Sequence, residues 1–91
     1  MIPGTVDVFV PSQLTSYTGG ASCLRAAGAT LDQVLDDLDA RYPGLKFRVV
    51  DEQDRVRRHM RVFLNGEAAR RVDLAVRDGD EVLIFGALSG G

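Results

Sequence analysis

The sequence predicts an α+β domain in which a mixed sheet of four to five strands packs on one main helix. Three features lead to this prediction. Apolar residues alternate with other residues in runs that begin at Thr5, Met60 and Glu81, as in strands with one buried face. Segment 30–42 has apolar residues at helical spacing. Asn65-Gly66 follows an apolar run and predicts a tight hairpin, because both positions tolerate positive φ.

The first strand is expected at 5–10, where Pro11 closes it. A polar loop then leads to Gly20, and an antiparallel partner strand is expected at 21–26. Cys23 lies in that partner strand. An isolated cysteine in a strand usually packs as a small buried apolar residue, and a single histidine in the whole chain argues against a Cys/His nucleophile. We therefore expect Cys23 to be buried.

The predicted helix begins at a capping box formed by Thr30 and Gln33. The Thr30 hydroxyl can accept from the third amide of the helix, and the Gln33 side chain can reach back. Pro43-Gly44 ends the helix, since the residue before a proline disfavours helical geometry. The apolar stripe comprises Leu31, Val34, Leu35, Leu38 and Tyr42. Because only one side is apolar, we expect the helix to lie on the sheet.

Segment 45–60 is expected to be the least regular part of the chain, with a polar turn at 51–54. A concentration of arginines follows: Arg55, Arg57, Arg58, Arg61, Arg70 and Arg71. They form either a solvated charged face or a docking patch for an acidic partner surface, which would speed encounter more than it adds affinity. Arg58 and Arg61 are the two that we expect to contact a partner. Nucleic acid is the weaker alternative, because no aromatic residues interleave with these arginines in an acidic protein.

The alternation in the last two long strands predicts an apolar patch on the side away from the helix. If Val62 and Ile84 point toward the helix, then Phe63, Leu83 and Phe85 point away from it. On neighbouring strands these three residues would form an exposed patch, and such patches commonly mark partner sites. The alternative is that a loop or the first residues of the chain cover the patch.

The five residues after the last strand form a segment of their own, Ala87-Leu88-Ser89-Gly90-Gly91. We expect a folded domain at 1–86 and a flexible tail at 87–91. Adjacent glycines add nothing to a core, but they make a thin thread that can enter a narrow channel with a bare carboxylate at its end. The alternative is a frayed terminus or a linker remnant.

The composition argues against several function classes. A chain of 91 residues has room for one domain, and a net charge of -2 gives no argument for a nucleic-acid or membrane partner. No apolar run approaches the roughly 18 residues of a membrane helix, and a single cysteine suits a reducing compartment, so a cytoplasmic location is expected. The chain has no phosphate-binding loop, no Ser/His/Asp order and no ligand cluster around His59. We therefore expect neither an enzyme nor a bound metal or cofactor.

A set of short motifs runs in order through nearly the whole chain. They are Thr18-Gly19-Gly20, Gly28-x-Thr30-Leu31, Tyr42-Pro43-Gly44-Leu45, Asp51-Glu52, Val62-Phe63-x-Asn65-Gly66-Glu67, Asp78-Gly79-Asp80-Glu81-Val82 and Gly90-Gly91. Together they resemble the MoaD/ThiS family of ubiquitin-like sulfur carrier proteins, and most of all its CysO type, which serves cysteine biosynthesis. The resemblance implies a ubiquitin-like β-grasp domain over 1–86 and a Gly-Gly tail over 87–91.

The resemblance also implies that Gly91 carries the chemistry. A ubiquitin-activating-like enzyme would use ATP and Mg²⁺ to adenylate the terminal carboxylate, which is ionised at neutral pH and a poor acyl donor. A sulfur donor would then displace AMP and leave a thiocarboxylate that passes its sulfur to a biosynthetic enzyme. In the CysO type that enzyme is a pyridoxal-phosphate-dependent cysteine synthase, and a metalloprotease then releases cysteine. The tail residues are Leu88, Ser89 and Gly90, and the apolar patch would be the docking face.

Two departures from the family pattern leave the partner open. Gly86-Ala87-Leu88-Ser89 replaces a stretch that often contains proline, which predicts a looser tail, and His59-Met60-Arg61 replaces a more apolar stretch. A molybdopterin synthase small subunit, a thiamine carrier and a carrier for natural-product synthesis therefore remain alternatives. Two other classes also remain: a ubiquitin-like modifier that forms isopeptide bonds, and a β-grasp interaction domain with an inert tail.

Overall fold

The computed structural model describes residues 4–86, which form a mixed five-stranded sheet with one main helix on it. In chain order the strands are β1 (Thr5–Phe9), β2 (Cys23–Ala27), β3 (Met60–Leu64), β4 (Glu67–Ala69) and β5 (Glu81–Gly86). Their order across the sheet is β2-β1-β5-β3-β4, with β1 and β5 parallel and the other neighbours antiparallel. The mixed sheet and the number of strands are as predicted. Within 4–86, no helix is both long and apolar enough to cross a membrane.

The main helix, α1, spans Leu31–Arg41 and begins at the predicted cap. The Thr30 hydroxyl accepts from the Gln33 amide at 3.2 Å, and the Gln33 side chain accepts from the Ala29 amide at 2.8 Å. The last turn closes when the Tyr42 amide donates to the Leu38 carbonyl at 2.7 Å. The buried residues of α1 are Leu31, Val34, Leu35 and Leu38. The predicted stripe therefore faces the core, and Tyr42 lies at its edge as the C-cap.

A second, short helix, α2 (Leu45–Val49), was not predicted. It follows Gly44, whose φ of 94° lets the chain turn and enter a new helix directly after the stop at Pro43. Leu45 and Val49, four residues apart, are fully buried, and this single pair is all the helical periodicity that a five-residue segment can show. The expectation of irregular structure here was wrong because the signal is too short to recognise.

The first hairpin is confirmed, and its connection contains a 3₁₀ helix at Ser12–Tyr17 held to the core by buried Leu14. The expectation for Cys23 was wrong, because its side chain is exposed. In β2 the buried residues are Leu24 and Ala26, so the alternation directs Cys23 to the other side. Cys23 is paired with Phe9 of β1 on the side of the sheet away from α1.

The hairpin between β3 and β4 turns at Asn65 and Gly66, whose φ values are 51° and 88°. The Asn65 side chain also joins this turn to the start of β5. Its amide donates to Asp80 at 3.0 Å, and its carbonyl accepts from the Glu81 amide at 2.9 Å. Asp80 in turn accepts from the Arg77 amide at 2.8 Å. These bonds fix the register in which Leu64 is paired with Val82.

Candidate functional site

The side of the sheet away from α1, which we call the open face, carries a continuous row of apolar side chains. The strand pairings place Ala68 beside Phe63, Phe63 beside Leu83, Leu83 beside Phe9 and Phe9 beside Cys23. One residue from each of the five strands therefore contributes to one row. Each of the five has at least one strand neighbour that is buried on the α1 side, which confirms the predicted division between the two sides. These buried neighbours are Val8, Val10, Leu24, Val62, Ala69, Val82 and Ile84.

Phe85 and Phe63 form the most prominent part of the open face. Their ring centroids are 5.7 Å apart and the rings meet edge to face at 76°. Phe85 is 45% exposed, while Phe63 and Leu83 are half-buried. The structure thus brings together the three residues of the predicted patch, and among residues 4–86 no loop covers Phe85. An exposed aromatic pair of this kind can offer a large apolar contact area at a small cost in side-chain entropy.

Arg61 lies next to Phe85, because the two residues are cross-strand partners in β3 and β5. The Arg61 guanidinium donates to the carbonyl oxygens of Met60 at 2.8 Å and Arg58 at 2.9 Å. These bonds hold the Arg61 side chain against the turn that precedes β3. Arg58 and Arg61, the two arginines predicted to contact a partner, are therefore neighbours. His59 is exposed in the same turn, before β3 begins.

The end of β5 places Gly86 beside these groups. Gly86 is paired with Met60 of β3 on one side and lies against the side chain of Gln13 from the 3₁₀ helix on the other. A Cβ atom added at Gly86 would lie within 2.4 Å of the Gln13 carboxamide, so a larger residue here would force that flexible side chain to move. The predicted tail residues Leu88, Ser89, Gly90 and Gly91 lie outside the described residues.

Neither Phe9 nor Gln13 was assigned to the site from the sequence. Phe9 could have been found, because the same period of two that buries Val6 and Val8 directs Phe9 to the open face. Gln13 gives no such signal, because it lies in a connection whose 3₁₀ helix has no sequence pattern beyond one buried leucine. Within residues 4–86, no group of three or more His, Cys, Asp or Glu side chains is arranged to hold a metal ion.

Comparison with known proteins places the chain in a family. The sequence model of the ThiS family matches residues 8–91, which is most of the chain. The chain belongs to the ThiS family. Membership confirms the predicted MoaD/ThiS resemblance, and the matched range contains both the open face and the Gly90-Gly91 segment of this ThiS-family protein.

Individual relatives of this ThiS-family protein agree in sequence and in fold. Sulfur carrier protein CysO of Mycobacterium tuberculosis is 35% identical over 91 residues, which cover 94% of this chain and 98% of CysO. A chain in the crystal structure of the Amycolatopsis orientalis BexX/CysO complex matches with a TM-score of 0.86 and 35% identity, covering 94% of this chain and 99% of that chain. SAMP1 from Haloferax volcanii, a small archaeal modifier protein, matches with a TM-score of 0.80 and 31% identity over 97% of this chain and 100% of SAMP1. These matches confirm the predicted β-grasp fold.

Proposed function

We propose that this protein is a sulfur carrier of the CysO type, in which the carboxyl group of Gly91 is converted to a thiocarboxylate. The observation that carries the proposal is the extent of the relationship. The family match continues through Gly91, and the relative named as a sulfur carrier shares 35% of its residues across nearly the full length of both chains. The protein is on this view a carrier rather than an enzyme, and its partners perform the catalysis.

The chemistry takes place in two steps at the carboxyl group of Gly91. In the first, an oxygen of the Gly91 carboxylate attacks the α-phosphorus of ATP on an activating enzyme with Mg²⁺, and pyrophosphate leaves. In the second, a sulfide sulfur attacks the acyl carbon, a C–S bond forms, and the C–O bond to AMP breaks. The product is a thiocarboxylate whose sulfur is nucleophilic, so an acceptor enzyme with an electrophilic substrate carbon can take it up.

The open face supplies the docking surface in this proposal. Phe63, Leu83 and Phe85 lie on β3 and β5, and β5 leads directly into segment 87–91. A partner that covers this face therefore contacts the strand from which the reactive segment emerges. A cysteine synthase that uses pyridoxal phosphate and a metalloprotease that releases the product complete the CysO-type scheme.

Intact-mass spectrometry tests the proposal. The protein is produced together with the activating enzyme of its own organism and a sulfide source. We expect a mass gain equal to one oxygen replaced by sulfur, and an iodoacetamide adduct on the C-terminal peptide. The matched controls are a variant that lacks Gly91 and the same protein produced without the activating enzyme. A gain that persists without Gly91, or no gain in the complete system, would contradict the proposal.

A ubiquitin-like modifier is the second candidate, and the similarity to SAMP1 favours it. It uses the same adenylate, but a lysine amine of another protein displaces AMP and forms an isopeptide bond. Cells that express an epitope-tagged chain distinguish the two functions by immunoblotting. Higher-mass conjugates that disappear on deletion of Gly91 would support the modifier, whereas a protein that is only a sulfur carrier gives none.

A further inference from the structure

Positive charge is concentrated in one segment of an acidic protein. Residues 55–71 contain six arginines and only one acidic residue, Glu67, although the whole chain has a net charge of -2. The open-face docking surface accounts for only one of these arginines, Arg61. The remaining five lie in the turn before β3 and in the segment after β4. The segment therefore has a charge distribution that the proposed sulfur chemistry alone does not explain.

The fold gathers these arginines around a groove at the β3–β4 edge of the sheet, which we call the arginine groove. Its volume is about 500 Å³, and its floor is apolar, formed in part by Val56, Met60 and Ala68. The arginines that line it are Arg55, Arg57, Arg58, Arg61 and Arg70. Two backbone pairings hold the walls in place, one between Arg55 and Arg71 and one between Val50 and Val56.

Hydrogen bonds to the Asp51 side chain order the turn that carries Arg55. The Asp51 carboxylate accepts from the amides of Gln53 at 2.8 Å and Arg55 at 3.0 Å. The hydrogen bond from the Arg55 amide, followed by that from Gln53, lowers the pKa of Asp51 below its ordinary value. The carboxylate therefore stays ionised as an acceptor and fixes the backbone from which one wall of the groove projects.

Among residues 4–86, none of the five arginines of the groove forms an ion pair. Arg55 donates to the Gln53 side chain, Arg57 lies over the Phe47 ring at 4.3 Å and donates to a carbonyl, and Arg61 donates to two carbonyls. The ion pairs of the described chain involve Arg25, Arg41, Lys46 and Arg71 instead. The groove thus presents positive charge over an apolar floor with no carboxylate of its own.

The acidic side of α1 is the opposite case, because its carboxylates already have partners. Lys46 lies 2.8 Å from Asp32 and 2.5 Å from Asp36, Arg41 pairs with Asp37 at 3.0 Å, and Asp39 accepts from the amides of Gly44 and Lys46. Burial lowers the pKa of Lys46, but its bonds to the two aspartates outweigh this effect and raise it above the ordinary value. The acidic helix of a second copy is therefore a poor occupant for the arginine groove.

We propose that the arginine groove binds an extended acidic segment of a partner protein, with carboxylates on its rim and an apolar side chain on its floor. Arginine clusters recognise carboxylates through charge-assisted, often bidentate hydrogen bonds, and the apolar floor adds a site for one uncharged residue. Nucleic acid fits less well, because Phe63 is the one aromatic side chain among the described residues that line the groove, whereas a single strand stacks successive bases on several aromatic side chains.

The position of the groove links it to the sulfur carrier. Met60 forms part of its floor and is the strand partner of Gly86, the last described residue of β5. A segment bound in the groove therefore lies beside the point where segment 87–91 begins. We expect the partner to be an enzyme of sulfur transfer, and this expectation rests on the proposed function. The recognition of acidic segments by the groove does not depend on it. Because charge steers encounter, binding here should raise the association rate most at low salt.

Fluorescence anisotropy with a defined probe tests the proposal. The probe is a labelled ten-residue peptide of alternating Glu and Leu, and its control has Gln in place of every Glu. The test variant is Arg58→Glu/Arg70→Glu, with Arg58→Gln/Arg70→Gln as a milder form. The matched control is Arg48→Glu/Arg77→Glu, which changes the net charge equally at exposed arginines that lie outside the groove and outside the ion pairs of the described residues. All four substituted positions are exposed, so the variants should fold.

We expect the test variant to bind the acidic peptide about tenfold or more weakly, since two charge-assisted contacts are lost. The milder form should fall between it and the wild type, and the matched control should stay close to the wild type. The difference should shrink when salt rises from about 50 mM to about 500 mM. Equal binding of the Gln peptide, or equal weakening in the matched control, would overturn the proposal.

Two further outcomes would assign the groove to another occupant and so overturn it. A single-stranded oligonucleotide that binds more tightly than the peptide and is lost in the test variant would make the groove a nucleic-acid site. Self-association in light scattering that the test variant abolishes would make it an interface between copies. A failure of the proposed function is separate: the wild type would then gain no sulfur, while the peptide result would stand.

Discussion

The two sides of the sheet are built from alternate residues of the same strands, and both are apolar. On the α1 side, Val62, Val82 and Ile84 are at most 1% exposed. On the open face, Phe63 and Leu83 are half-buried and Phe85 is 45% exposed. The difference lies in what covers each side, since α1 packs on one and no described element packs on the other. An apolar side chain in this sheet can therefore belong either to the core or to a surface that a partner could contact. Which of the two it is depends on whether another element of the fold packs over it.

The largest expected effect compares two neighbours in β5. Ile84→Ala should lower the free energy of unfolding by about 2–5 kcal/mol, because it removes apolar contacts and leaves a cavity under α1. Phe85→Ala should cost only about 1 kcal/mol, mainly the edge-to-face contact with Phe63. Urea unfolding followed by circular dichroism measures both. Equal losses for the two variants would mean that the open face belongs to the core.

The second prediction concerns function on the open face. Phe85→Ala should reduce kcat/KM for thiocarboxylate formation on the activating enzyme about tenfold, equivalent to about 1.4 kcal/mol of lost transition-state binding. The matched control is Tyr17→Ala, since Tyr17 is another exposed aromatic residue but lies in the connection between β1 and β2. We expect that control to react at nearly the wild-type rate. A similar loss of kcat/KM in both variants would contradict the prediction that the activating enzyme docks on the open face.

Much of this division could be predicted from the sequence, because it depends on local patterns. The period of two in β3 and β5 predicted which residues face α1, the capping box at Thr30 placed the start of the helix, and Asn65-Gly66 placed the hairpin. Each of these signals acts over a few residues and needs no knowledge of distant contacts.

The features that could not be predicted depend on contacts between distant segments. Cys23 was expected in the core, but Leu24 and Ala26 are the residues of β2 that face α1, so Cys23 lies on the open face beside Phe9. Short α2 exists because Leu45 and Val49 find a core to enter, not because five residues favour a helix in isolation. The arginine groove contains both Arg55, from the turn before β3, and Arg70, from the segment after β4, and only the folded chain brings these two segments together.

The third prediction tests what keeps the two sides distinct. A shift of one residue between β3 and β5 would exchange the buried and exposed sets of side chains. The turn at Asn65 and Gly66 opposes such a shift, because the Asn65 side chain is hydrogen-bonded to the start of β5. Gly66→Ala should lower the free energy of unfolding by about 1–2 kcal/mol, because an L residue at a φ of 88° is strained. Gly66→Asn is the control and should cost less, since asparagine tolerates this region. Equal costs would show that backbone strain at this turn is unimportant.

The smallest expected effect concerns pH and the bonds that tie the Asn65 turn to β5. The Asn65 side-chain amide, followed by the Arg77 backbone amide, lowers the pKa of Asp80 below its ordinary value. A carboxyl group with a depressed pKa in the folded state stabilises the fold above its unfolded pKa of about 3.9, and this contribution is lost as the pH falls through the folded value. The unfolding free energy of the wild type should therefore decline between about pH 5 and pH 2 more steeply than that of Asp80→Asn, which carries no titrating group at this position.

Urea unfolding at several pH values measures the difference, and the unfolding free energies of the two proteins should converge at the acid end. Because Asp80 is near the surface, the difference should be small, and parallel pH profiles would mean that its ionised form does not help to hold β3 and β5 in register.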